Sequence, residues 1–340
     1  MSRTEIKELS LGKRIIKIVR ENQQWLGFFI IAIILLYSFI TVLYEPRHVL
    51  LDILYGILFV FLIVGLYKAF ITEKKEKKKI RIDVFDAFAA ASGVLATYCL
   101  VHFLGFNVVM ASSLLGIIGY IFLRKYEVPI YCGSFAGMVS VALFDLSEVL
   151  VLSLICSVIY ILTKPLFVGY GGKLGTVAFM SSLILHSIFN DQFLVVQSDL
   201  HFGFLILATV LGVTVTFYSQ HILKISAVMS SAAFSFIIAT ILFFILPSHI
   251  EYSVILFSAS FIGMSSKDKL PNIFYVILSG LILGVIYYVF VHYFNGLGGK
   301  LGLMALISVM VTTGISEILK KEIHNFAYLP LKNNNQNTDK

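Results

Sequence analysis

Long apolar runs separated by short polar breaks recur from residue 25 to residue 318. Twelve such segments lie near 25–44, 49–71, 84–104, 107–123, 129–145, 147–163, 173–190, 203–220, 224–246, 252–265, 272–293 and 301–318. Most approach the ~20 residues that a helix needs to cross a bilayer core about 30 Å thick. Segments 129–145 and 252–265 are short, which leaves open whether they cross fully or dip in and return. The pattern predicts an all-α polytopic membrane protein of about twelve transmembrane segments.

Composition excludes the soluble alternative. The chain is 59% hydrophobic and only 13% charged, with a mean hydropathy of +0.93, where soluble domains carry about 25% charged residues. The first apolar run, Leu26 to Tyr44, is long enough to span and lacks a small-residue cleavage site, so no cleavable signal peptide is expected. The net charge of +7 does not point to nucleic acid. Its basic residues crowd into Lys7–Arg20 and Lys74–Arg81, each beside an apolar run, as in cytoplasmic loops facing anionic lipid.

The same charges set the orientation. With the N-terminus inside, the inner loops hold Lys74–Lys79, Arg124, Lys125, Lys164, Lys173, Lys224, Lys267, Lys269, Lys320 and Lys321. The outer loops hold Glu45–His48, Asp145, Glu148, Asp191, Asp199 and Ser248–Glu251, and only Arg47 and Lys300 break the rule. The expected location is the plasma (cytoplasmic) membrane with both termini cytoplasmic. Residues 1–24 form a basic segment, either an amphipathic helix on the inner surface or a solvated tail. Residues 321–340 form a cytoplasmic tail, polar from Leu329 onward. Cys99, Cys132 and Cys156 sit in apolar runs without a Cys-x-x-Cys or a His partner, and read as buried small hydrophobes.

The most informative feature is an internal duplication. Gly169-Tyr170-Gly171-Gly172-Lys173-Leu174-Gly175 returns as Gly296-Leu297-Gly298-Gly299-Lys300-Leu301-Gly302. Ser134-Phe135-Ala136-Gly137-Met138 returns as Ser260-Phe261-Ile262-Gly263-Met264, with Ser140 matching Ser266. Upstream, Gly93, Thr97, His102 and Ser112 match Gly212, Thr216, His221 and Ser231. The blocks keep their order, and the loop Pro247–Glu251 fits as an insertion. The chain then divides into residues 25–83 (two N-terminal spans and a basic loop), 84–202 (membrane repeat 1) and 203–320 (membrane repeat 2). Five segments per repeat is an odd number, so the expected relation is inverted, as in many transporters and channels. If the two short segments fail to cross, the repeats become parallel, but Lys164, Lys173 and Lys224 then move outside.

Short or Gly-interrupted segments at matching places in two halves point to a transport site. Here they are Ser134, Phe135, Gly137 and Met138, matched by Ser260, Phe261, Gly263 and Met264. Small residues let backbone leave helical geometry next to a solute, or let helices pack closely. The second pair of elements, Gly171, Gly172, Lys173 and Gly175 with Gly298, Gly299, Lys300 and Gly302, precedes two apolar segments. Converging backbone N–H groups, a helix N-terminus and a lysine suit an anion. The alternative is a glycine turn whose lysine reaches headgroups. The element lacks the P-loop order, so nucleotide hydrolysis is rejected. Thr97, His102, Thr216, His221 and the intramembrane His186 are candidate polar or gating residues.

No carboxylate-rich span, metal cluster or catalytic dyad is evident, so no enzyme activity, metal or cofactor is expected. The five-plus-five plan is similar in outline to that of urea channels and ammonium channels. Their sequence motifs are not found, and the likeness implies an architecture alone. The expected function is a transporter or channel for a small polar or anionic solute, with its pathway between the repeats. The partners are that solute and membrane lipid, and a homo-oligomer is compatible with the plan. Two other readings exist. One is a membrane-embedded enzyme on a lipid-linked substrate, hinted at by Asp145 and Glu148. The other is a non-catalytic subunit or sensor that docks a partner through its N-terminal spans.

Overall fold

The computed structural model describes residues 11–44, 49–75, 83–189, 192–196, 201–246 and 251–327. The basic run 76–82, the outer-loop positions Glu45–His48, Asp191 and Asp199, the insertion residues 247–250 and the tail from Leu329 lie outside them. So does the start of the basic N-terminal segment. In chain order the helices are α1 (Leu11–Leu43), α2 (Val49–Lys75), α3 (Val84–His102), α4 (Val108–Phe122), α5 (Glu127–Ala136), α6 (Leu146–Thr163), α7 (Lys173–Phe189), α8 (Phe202–His221), α9 (Ala227–Ile245), α10 (Glu251–Gly263), α11 (Ile273–Phe290) and α12 (Lys300–Ala327). A single 3-10 turn, Arg124–Tyr126, precedes α5. Residues 11–24 continue α1 as one helix, not as a separate surface helix.

Eight of the described helices are long and apolar enough to cross a membrane, and α4, α7 and α10 are shorter apolar helices. Their outward faces carry Phe88, Leu154, Leu207 and Phe244 at 60–76% exposure. Such a surface suits lipid, not water. Polar signals mark the helix starts. Asp83, Asn107, Asp145, Ser226 and Asn272 each accept a backbone N–H in the first turn of the next helix, satisfying donors that the helix itself leaves open.

Segment 129–145 departs from the expected span. Only α5 is helical there, and its ten residues extend about 15 Å, half of a bilayer core. The helix stops at Gly137, which lies against the Val94 carbonyl. Three residues later the Ser140 N–H bonds the Gly296 carbonyl at 2.9 Å, drawing the chain to the distant glycine loop. The matching α10 stops after Gly263, beside Val213 and Thr216, and the Ser266 N–H bonds the Gly169 carbonyl, also at 2.9 Å.

The packing of α3–α7 is echoed by α8–α12. α3 lies against α5 and α6 as α8 lies against α10 and α11. α7 touches α5 and α6 as α12 touches α10 and α11. Between the two groups, α4 packs on α9 and α7 on α12. α1 and α2 sit outside this arrangement. α2 grips α12 through Gly65 on the Met310 backbone and Gly314 on that of Phe61, and the Tyr55 hydroxyl donates to the carbonyls of Val285 and Ile286 in α11.

Candidate functional site

Four helix ends meet in the interior. α5 and α10 finish there and α7 and α12 begin there. Gly175 and Gly302 mark an antiparallel crossing of α7 and α12, where a Cβ on Gly175 would lie 2.6 Å from the Gly302 Cα. Gly172 faces Gly302 and Leu306, while Gly299 faces Gly175 and Phe179. Both loop glycines hold left-handed backbone, with φ of +85° at Gly172 and +81° at Gly299, which a side chain resists. Gly298 rests on the carbonyls of Phe135 and Ala136, and Gly171 on that of Phe261. Each helix start therefore lies beside the carbonyl end of one of the short helices α5 and α10, positive dipole end beside negative.

A crevice opens on either side of this junction. The larger, about 480 Å³, is lined by the loop Phe167–Gly175 with Asp86, Lys125, Tyr160, Lys164, Phe135 and Met264 among its walls. The smaller, about 240 Å³, is lined by Asn295–Leu297 and Gly299–Leu301 with Met138, Glu251, Tyr287 and Val291. Phe135, Phe261, Phe257 and Tyr131 form a ring cluster, with Phe135 and Phe261 ring centres 4.7 Å apart, and Phe135 and Phe261 line the larger crevice.

The two glycine-loop lysines are turned back onto the preceding helix. Lys173 donates to the Lys164 carbonyl at 2.7 Å, and Lys300 donates to the Val291 carbonyl at 3.2 Å. Lys300 also donates to the Tyr293 carbonyl and to Asn295 Oδ1, both at 2.6 Å, which occupies the three hydrogens of its ammonium. Both lysines thus put positive charge on the carbonyl end of a helix, where it is favourable. Asp86, 3% exposed, accepts from the Lys164 ammonium.

Ser134 and Ser260, singled out by the sequence, line neither crevice. Ser134 bonds Ser112 at 2.7 Å and the Tyr131 carbonyl at 2.8 Å. Ser260 bonds Ser231 at 2.7 Å and the Phe257 carbonyl at 2.7 Å. The Tyr131 hydroxyl reaches Ser231 across the groups at 3.0 Å. Gly137 and Gly263 lie against the Cβ atoms of Thr97 and Thr216, whose hydroxyls are buried without a hydrogen-bond partner among the described residues. His221 bonds the Ser265 carbonyl at 2.8 Å, whereas the His102 ring lies beside those of Tyr98 and Phe103. His186 stacks on Phe193 and bonds the Gln192 carbonyl at 3.2 Å.

Asp145 and Glu148 have a local task. The Asp145 carboxylate accepts from Ser147 Oγ and the Glu148 N–H, and the Glu148 carboxylate from the Asp145 N–H, a reciprocal cap on α6. The Ser147 hydroxyl first, then the Glu148 N–H, hold the Asp145 carboxyl below its usual range. Sequence reasoning missed Lys125, Tyr160 and Gln220 as crevice residues, because they stand far apart in the chain. Lys164 left a signal, as it precedes Lys173 by the same interval that separates Val291 from Lys300.

Compared with family models, curated proteins and solved structures, the chain matches none.

Proposed function

We propose that the chain is a membrane transporter or channel for a small polar or anionic solute, whose pathway runs between two inverted five-helix repeats, α3–α7 and α8–α12. The observation that carries this reading is the pair of crevices, each built on one copy of the repeated glycine loop. Gly171 to Lys173 and Tyr160 stand in one where Gly298 to Lys300 and Tyr287 stand in or beside the other. The inversion is supported by the antiparallel meeting of α7 and α12 and by the paired bonds Ser140–Gly296 and Ser266–Gly169. A lysine-rich rim at Lys125 and Lys164 favours the cytoplasmic side for the larger crevice. Half-length helices with irregular backbone at depth are tolerated where they line a wet cavity.

The direct test is flux through purified protein in liposomes, using a panel of small anions, amides and amines. Transport of at least one class above protein-free vesicles is expected, and none at all counts against the proposal. In this reading the Phe135–Phe261 contact separates the two crevices as an apolar constriction. Phe135→Ala combined with Phe261→Ala should raise passive leak of the transported solute several-fold. An unchanged leak from a folded double variant places the barrier elsewhere.

A further inference from the structure

The larger crevice has a chemistry that narrows its ligand. Three lysines, Lys125, Lys164 and Lys173, line it against one carboxylate, Asp86, which is engaged by Lys164. Two further acidic groups stand behind the lining. Glu127 accepts from Ser226 and lies beside Arg124, and Glu73 accepts from the Phe167 N–H. The polar side chains Gln220 and Ser266, with Tyr160 and Tyr170, complete the polar part of the lining. The remaining wall is apolar, with Val128, Leu174, Val228 and Met264 beside the rings of Phe135 and Phe261.

These two halves of the lining make opposite demands. The lysines favour negative charge. The apolar wall penalises a bare inorganic anion, which would lose its water there without replacement. An ion with an apolar body satisfies both, because its body gains from leaving water. The volume is in the range of cavities that take small organic ligands. We infer that the larger crevice binds an amphipathic organic anion, with its carboxylate or phosphoryl head at Lys164 and Lys173 and its apolar body against Phe135, Phe261 and Met264. The inference rests on the crevice being the solute's pathway. The smaller crevice offers a single lysine, Lys300, already bonded to three oxygens and accompanied by Glu251. The ligand is therefore held on the larger side.

The test is equilibrium dialysis of radiolabelled benzoate against the full chain in phosphatidylcholine nanodiscs. Saturable binding is expected. Benzamide, benzylamine or inorganic phosphate at a concentration equal to benzoate's should leave most of it in place, since about 1.4 kcal/mol of lost head or body contact already weakens a competitor tenfold. Lys173→Gln should weaken benzoate by at least about threefold. Because Lys173 also bonds the Lys164 carbonyl, a second variant is needed. Ala227→Glu puts a negative charge on the crevice wall at the first turn of α9, a position where acids favour the helix, and it should weaken benzoate similarly. Displacement by benzamide as effective as by benzoate overturns the charge requirement. Displacement by phosphate at equal concentration overturns the apolar one. No saturable binding to monodisperse protein, or unchanged affinity in folded Ala227→Glu, also overturns the inference.

Repeating the measurement in phosphatidylglycerol nanodiscs identifies the anion's source. Loss of benzoate binding there assigns the site to a lipid headgroup, and retained binding assigns it to a dissolved anion. Flux of a neutral solute without benzoate binding defeats this inference alone, whereas benzoate binding without any flux defeats the transport reading alone.

Discussion

Gly172→Val is expected to destabilise the protein by on the order of 4 kcal/mol, or to prevent its recovery as a monodisperse species. Two costs combine. The residue sits at φ +85°, where a β-branched side chain is strained by about 1–3 kcal/mol. Its Cβ would also overlap the Gly302 carbonyl oxygen and the Leu306 nitrogen. These are backbone atoms within a helix start, and they cannot swing aside as a side chain can. Gly299→Val should behave alike, since Gly299 has φ +81° and faces the Gly175 oxygen and Phe179 nitrogen. Gly56→Val and Gly203→Val serve as controls, because among the described residues nothing lies within 4 Å of a Cβ at either position. They should change stability by no more than about 0.5 kcal/mol. Size-exclusion profiles and thermal melts in detergent report the difference. A Gly172→Val protein that stays monodisperse and melts with the parent removes the close crossing of α7 and α12 as a structural requirement.

Lys164→Val is expected to cost about 2–3 kcal/mol, and adding Asp86→Leu to restore most of it. The single change leaves the Asp86 carboxylate, 3% exposed, without its cation. Breaking a fully buried pair costs about 3–5 kcal/mol. The Lys164 side chain is 46% exposed, so water recovers part of the loss. The double change copies the other half of the molecule. Under the proposed repeat, Leu205 occupies the place of Asp86 and Val291 that of Lys164, and Leu205 is fully buried. Replacing an ion pair by fitted apolar groups is often neutral or stabilising. Thermal melts of the two single variants and the double variant give the coupling energy directly. A double variant less stable than Lys164→Val shows that the carboxylate is needed for more than its partner.

The two variants probe opposite kinds of legibility. The glycines drew attention in the sequence because they recur in the same order, and their crowding is a matter of backbone shape that such recurrence often marks. Asp86 and Lys164 belong to separate helices and have no apolar or repeated pattern to join them. Ser134 and Ser260 show the reverse. They recur as clearly as the glycines, yet their hydroxyls are used to join helices, because a repeated polar residue serves packing as readily as it serves a pathway. Lys173 and Lys300 lie between these cases. Their place at a helix start was legible, but their bonds to the preceding helix depend on a loop that folds back nine residues.

The amino-acid order alone determined that this chain is helical and suited to lipid, because helix formation and hydropathy are properties of contiguous residues. It also determined the duplicated elements, since self-similarity needs no coordinates. Only the tertiary structure decided that α5 is half-length, that α7 and α12 start in the interior and cross at paired glycines, and that lysines from distant segments share one crevice. The physical reason is that a helix ends where another part of the chain claims its backbone. Here the Gly296 and Gly169 carbonyls make that claim from across the molecule.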